Sequence, residues 1–295
     1  MRERKFSVDA AEYPFQSRWF ERNGSAMHYI DEGQGEVEKI AVVMCHGNPT
    51  WSYLYRHIIK MLAPQYRCIA YDLPGFGYSD HPPGYSYLPQ EHAEWVEALL
   101  LEHLKLDRFI LVVQDWGGPI GLRIATRHPD KIIGVVISST FIGAPTTVGK
   151  IFSTLMGTWL GQYLIIQRNF FAKTIVSAML GKRATPATLK AYVDPFPTPD
   201  SRKGPAVFPV QIVGATPWLE ETKSRLQTLA GKPIEFVFGL KDIGTRAADI
   251  AAWLNIFPRA GVQKVAEANH FTQEDCPENY VVAVNRIAAQ AEQRI

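Results

Sequence analysis

The stretch VVQDWGGP, residues 112–119, places a carboxylate where a buried strand should hold none. Val112 and Val113 are strand residues, and Gly117, Gly118 and Pro119 open a turn and a helix. Asp115 stands at the sharpest point between them, with Trp116 beside it. Three further groups able to do chemistry follow strand-like runs: His46-Gly47-Asn48-Pro49 after 39–45, Asp242 after 233–240, and His270 after 262–268. Carboxyl ends of parallel strands gather at one edge of a sheet, so these groups can converge. Their chain order, with a loop of backbone amides first, is that of a nucleophile elbow followed by an acid and a base.

Asp115 takes the place that serine holds in most such elbows. A serine must give up a proton before it attacks, whereas a carboxylate is already ionised at neutral pH. A carboxylate can displace a leaving group from saturated carbon and become an alkyl ester. His270, oriented by Asp242, would then activate a water to hydrolyse that ester. Carbon–halogen bonds and epoxide rings suit this sequence of steps.

Each group also has a plainer reading. Asp115 and Asp242 could be helix caps or turn residues, and His270 a satisfied loop histidine. The order of the three, all at strand ends, favours the chemical reading. Asp249 reads as helix surface, and His28, His57, His81, His92, His103 and His128 as structural or solvated. Asp72 and Asp80 flank PGFG and read as turn-makers.

The elements that must position these groups follow from patterning. Asn23-Gly24 marks a hairpin within 17–33. Strands at 39–45, 66–74, 108–115 and 131–140 then alternate with helices at 53–62, 91–104 and 118–129. The strands lack polar alternation, which signals a mostly parallel sheet covered on both faces. Residues 141–215 break the alternation with helical stretches, then a proline-rich loop at 194–209. Sheet patterning resumes at 233–242, with a helix at 246–257, a strand at 262–268 and a last helix from about 278. The expected fold is therefore an α/β core of residues 1–140 and 216–295, interrupted by a helical lid, 141–215.

The bulk numbers agree. The chain has 295 residues, 46% of them hydrophobic, enough for one large core. Thirty-one basic and 29 acidic residues leave a net charge of +2, which gives no reason to expect nucleic acid or an anionic membrane as partner. Cys45, Cys68 and Cys276 are odd in number and far apart, forming neither a disulfide framework nor a zinc site. The first residues lack the apolar core of a secretory signal, and 151–166 is too short for a membrane span. A soluble, cytoplasmic protein is expected.

HGNPTWSYLYR (46–56), DLPGFGYSD (72–80), VVQDWGG (112–118), FGLKD (238–242) and ANHF (268–271) together resemble the haloalkane dehalogenases of the α/β-hydrolase fold. The likeness runs from about residue 14 to about 290. It implies Asp115 as nucleophile, His270 as base and Asp242 as the acid of those members that carry it after the penultimate strand. Other members place a glutamate after the preceding strand, where ISSTF (137–141) has no acid. The likeness also implies that Asn48 and Trp116 stabilise halide, as in the third dehalogenase subfamily, and that their backbone amides form the oxyanion hole. Such a pair makes sense for a soft anion, which needs donors in a dry pocket; an indole N–H has no lone pair to repel it. The implied partners are a small halogenated aliphatic substrate, water and the halide product, with no metal and no organic cofactor.

The lid should supply apolar walls, with Phe141, Phe152, Trp159, Phe170 and Phe171 as aromatic candidates and Leu155, Leu164 and Ile165 among them. Three alternatives use the same fold. An epoxide hydrolase would need two lid tyrosines, for which Tyr163 and Tyr192 are available. A β-lactone decarboxylase shares the whole set of five residues. A non-catalytic ligand sensor would have no need of the full set.

Overall fold

The computed structural model describes residues 2–33, 40–245 and 247–293. Lys39 and Arg246, which open the strand expected at 39–45 and the helix expected at 246–257, lie outside the described residues. β1 (Arg18–Arg22) and β2 (Ser25–Glu32) form the hairpin expected at Asn23-Gly24. Both turn residues have positive φ, 51° and 75°, as a two-residue turn matched to strand twist requires.

The hairpin joins β3 (Ala41–Cys45), β4 (Arg67–Tyr71), β5 (Phe109–Gln114), β6 (Ile132–Ser138), β7 (Ile234–Gly239) and β8 (Gly261–Val265). The eight-stranded sheet has the order β1-β2-β4-β3-β5-β6-β7-β8. β2 is antiparallel to β1 and β4, and the other pairings are parallel. Every residue of β3, β5, β6 and β7 is buried, which is why those strands read as mainly apolar runs, with Glu235 the one charged residue among them.

Alternate strand residues feed two cores. Val42, Met44, Ile110 and Val112 pack on one face. There they meet Ile58, Ile59 and Leu62 of α1 (Arg56–Leu62). Val43, Leu111 and Val113 pack on the other face, against α2 (Pro89–Glu97) and α3 (Gly117–Arg127). The helix expected through residue 104 continues past α2 as wider π turns over Ala98–His103.

Six helices separate β6 from β7: α4 (Thr147–Gly157), α5 (Trp159–Arg168), α6 (Val176–Met179), α7 (Pro186–Val193), α8 (Lys203–Gly214) and α9 (Thr216–Ser224). Thr146, Thr158 and Thr185 cap α4, α5 and α7 through side-chain bonds to backbone N–H groups. α8 corrects the expectation of a loop through 209. Its Pro205 lies in the first turn, where a missing N–H costs nothing, and only Pro209 interrupts the ladder. The chain closes with α10 (Ala247–Ile256), α11 (Thr272–Asp275) and α12 (Pro277–Glu292). α12 packs on the same face as α1, through Tyr280, Ala283, Val284 and Ile287. Among the described residues no helix is long and apolar enough to cross a membrane, and Cys45, Cys68 and Cys276 are buried.

A buried polar latch ties the inserted helices to the sheet domain. The Trp51 indole donates to the Ala191 carbonyl at 3.0 Å. Tyr192 of α7 donates its hydroxyl to Glu274 of α11, which also accepts two bonds from the Arg56 guanidinium. Arg56 and Glu274 are 2% and 3% exposed. Removing one charge of such a pair leaves the other buried without its partner. Glu274→Gln should therefore lower unfolding stability by about 3 kcal/mol, read as a fall in the denaturant midpoint. An unchanged midpoint would show that Glu12, which bonds Arg56 at 2.9 Å, suffices as its counter-charge.

Candidate active site

Asp115 is held in the left-handed region, at φ 50°. That conformation is uncommon for a residue with a side chain and costs on the order of 1 kcal/mol, so the surroundings must enforce it. Asp115 N–H donates to the Ser139 carbonyl at 3.0 Å, and its own carbonyl accepts from Gly118 N–H and the Thr140 hydroxyl. Two glycines allow the close approach. A Cβ at Gly47 would lie 2.2 Å from Asp115 Oδ1, and one at Gly117 would lie 2.1 Å from the Cys45 carbonyl oxygen. The turn thus lifts the Asp115 side chain to the end of the sheet, where 18% of it stays open.

The four strand-end groups do converge. Asn48 N–H donates to Asp115 Oδ1 at 2.6 Å, and Trp116 N–H bonds the same side chain. His270 Nε2 lies 3.8 Å from Asp115 Oδ2. On the other side of the ring, His270 Nδ1 sits 3.1 and 3.2 Å from the two Asp242 carboxylate oxygens. Asp242 also accepts from Gly244 N–H at 2.8 Å and is buried.

These contacts set the charges. Loss of water pushes the Asp115 carboxyl above its ordinary value, opposed by His270 and the two backbone amides. The same desolvation acts on Asp242, but His270, Gly244 and Thr245 outweigh it and hold its carboxyl far below the usual range. His270 is pulled down by burial and raised further by Asp242 and then Asp115, so its net shift is upward. A firmly ionised Asp242 fixes the proton on Nδ1 and leaves Nε2 facing Asp115 as the basic nitrogen.

Above this group lies a cavity of about 400 Å³, lined by Asp115, His270, Asn48 and Trp116 at one end. The Trp116 side chain is 2% exposed and is clamped by Phe141 and Phe208, each ring centroid 5.0 Å away. Asn48 donates its side-chain amide to the Pro205 carbonyl over a long 3.4 Å, and its Oδ1 has no partner in the protein. That carbonyl is free because Pro209, four residues on, has no N–H to return to it.

Of the aromatic candidates, Phe141, Phe152 and Phe171 line the cavity. Trp159 is 80% exposed and stacks on Tyr163, and Leu155 also faces outward. Ile165 packs into a small core of the inserted helices, and neither Phe170 nor Leu164 lines the cavity. Asp249, read as surface, lines it instead, from α10. The α10 residues Trp253 and Ile256 complete the wall. The sequence hid them because they lie outside the inserted block. Among the described residues no tyrosine lines the cavity; Tyr192 is spent on Glu274. His28, read as structural or solvated, is fully buried and bonds Asp72 at 2.8 Å.

The model of the alpha/beta hydrolase fold matches residues 40–277. The chain belongs to the α/β-hydrolase family. This α/β hydrolase is 39% identical over 282 residues to haloalkane dehalogenase 2 of Mycobacterium tuberculosis, covering 95% of this chain and 97% of that one. It is also 34% identical to the cis-3-alkyl-4-alkyloxetan-2-one decarboxylase of Xanthomonas campestris pv. campestris, over 89% of this chain and 92% of the relative. Among solved structures, a loop variant of the haloalkane dehalogenase DbeA from Bradyrhizobium elkanii superposes with a TM-score of 0.84 at 25% identity, covering 95% and 100% of the two chains. These likenesses make the α/β hydrolase an enzyme of the haloalkane dehalogenase group, with oxetanone decarboxylases as further relatives.

Proposed function

We propose that the chain hydrolyses haloalkanes to alcohol and halide through an ester on Asp115. One observation carries the reading. A strained carboxylate opens onto an apolar cavity, 3.8 Å from a histidine backed by an ionised aspartate, with an indole and a side-chain amide lining the same end. A substrate carbon placed over Asp115 would be attacked by a carboxylate oxygen as its halogen bond breaks. The electron pair leaves with the halide, which Trp116 Nε1–H and Asn48 Nδ2–H receive. His270 Nε2 then takes a proton from water, and the hydroxide formed adds to the carboxyl carbon. The oxyanion rests on the Asn48 and Trp116 amides. Collapse of this adduct expels the alkoxide, which leaves as alcohol with the proton from His270, and the Asp115 carboxyl group then releases the second proton of the water to solvent to restore the carboxylate. Carboxylate, imidazole and water suffice, so no metal or organic cofactor enters these steps. Residues 141–215 act as the lid that keeps the cavity apolar, and a small halogenated aliphatic compound is the partner it fits.

The oxetanone decarboxylase relatives favour one second reading, in which Asp115 opens a β-lactone. An epoxide hydrolase is less well served, since among the described residues no tyrosine lines the cavity to protonate a ring oxygen.

Single turnover in ¹⁸O-water tests the ester. With enzyme in excess over a short bromoalkane, the first alcohol should carry ordinary oxygen and the label should enter the Asp115 carboxylate, read by peptide mass. Label in the first alcohol would mean direct attack by water and would sink the mechanism. Bromide release slower than decarboxylation of a cis-dialkyl β-lactone would transfer the reading to the second class.

A further inference from the structure

Gln114 ends β5 directly before Asp115, and its side chain is 0% exposed. Its amide Nε2 lies 2.8 Å from His270 Nε2, the ring nitrogen that faces Asp115. The other end of the same amide, Oε1, is buried with no partner in the protein. A strand that packs apolar side chains from Phe109 to Val113 thus ends in an amide aimed at the proposed base. Because Asp242 holds Nδ1 in its donor role, Nε2 of the neutral ring carries a lone pair, and the Gln114 N–H group donates to it.

We infer that Gln114 is a positioning residue that serves His270 in both of its protonation states during ester hydrolysis. The inference rests on the proposed ester. Two charged groups face the His270 ring, Asp242 at Nδ1 and Asp115 at Nε2. Once Asp115 is esterified it carries no charge, so the Nε2 side loses its anion when a proton must arrive there. A carboxamide meets this change by turning through 180°. Its N–H satisfies the bare nitrogen in the resting state, swings off that single lone pair as the water O–H takes its place for proton transfer, and its Oε1 accepts from Nε2–H afterwards. The unpartnered oxygen is the acceptor held ready for the second state. An apolar side chain could do neither job, and an ionised carboxylate only the second.

Two variants test this by burst kinetics with a bromoalkane and by intact mass. Gln114→Leu fills the space without polar atoms. Its first-turnover bromide burst should keep at least half the wild-type rate, while hydrolysis slows about tenfold and ester accumulates on Asp115. In Gln114→Glu the added acceptor favours imidazolium, so the acid limb of the kcat–pH profile should rise by about one pH unit, with turnover recovering in alkali. Gln114→Leu turning over at the full wild-type rate, or losing burst and hydrolysis in equal measure, overturns the inference, as does an unmoved acid limb in Gln114→Glu. Wild-type enzyme that forms no ester on Asp115 refutes the underlying mechanism instead, so the two failures are distinguishable.

Discussion

Asp115→Ala should release bromide from a bromoalkane at least about 10⁴-fold more slowly than wild type, with no first-turnover burst. The size follows from the chemistry. Water would have to displace halide from saturated carbon in place of a carboxylate held in position by the turn, with His270 3.8 Å from where that carboxylate stood. The cavity, Trp116 and Asn48 remain, so binding of substrate and grip on halide persist, and the loss falls on kcat. The fold should not suffer. Burial pushes the Asp115 carboxyl above its ordinary value, so the folded state holds this charge at a cost when ionised. Its removal offsets whatever alanine loses at φ 50°, and the melting midpoint should hold. Bromide release by Asp115→Ala within about tenfold of the wild-type rate, alongside a normal midpoint, would place the nucleophile elsewhere.

His270→Phe should behave differently, releasing one bromide per chain and then stopping. Alkylation needs only the carboxylate, whereas hydrolysis needs the base, so steady turnover should fall about 10³- to 10⁴-fold while Asp115 gains the mass of the alkyl group. Equal loss of burst and turnover would put His270 in the first step as well. The charge balance sets the direction of the pH profile in the wild type. His270 must be neutral to accept a proton, so turnover fails as pH drops through its pKa. In the ester, where Asp115 is uncharged, Asp242 alone opposes burial; in the free enzyme Asp242 and Asp115 outweigh burial and raise that pKa above the ordinary 6.5. The same partnership stabilises the fold fully below 6.5, and that contribution is lost as pH rises through the raised value. Asp242 acts in the opposite sense. Its depressed pKa adds stability above the ordinary 3.8, lost only as pH falls through the lowered value.

Much of this architecture was legible because its signals are local. Asn23-Gly24 can hardly be read as anything but a tight turn, and the unbroken runs of β3, β5 and β6 declare a sheet covered on both faces. The candidate site was legible for a topological reason: residues that follow parallel strands meet whatever their separation in sequence. What escaped notice depends on packing between distant segments. α8 was hidden by its prolines, which read as loop although Pro205 sits where a helix tolerates one. Trp159 looked like a wall of the cavity and points outward, because apolar content does not say which face of a helix is covered. Asp249 and Trp253 reach the cavity from a helix that patterning assigned to the core alone. Gln114 stood in plain view within VVQDWGG, yet only a distance to His270 gives it a task.

The missing N–H of Pro209 makes a covalent detail of α8 part of the surroundings of the proposed halide site. One proposed halide donor, the Asn48 amide, is engaged with the carbonyl that this proline leaves bare, four residues back in the same helix. A leaving anion and a peptide oxygen can therefore each take one N–H of the same NH₂ group, so an anion bound there is tied through the Asn48 amide to α8. On this account ion release and the seating of α8 are reciprocal: product inhibition by added halide should be felt in that helix, and stiffening it should be felt in the affinity for the ion.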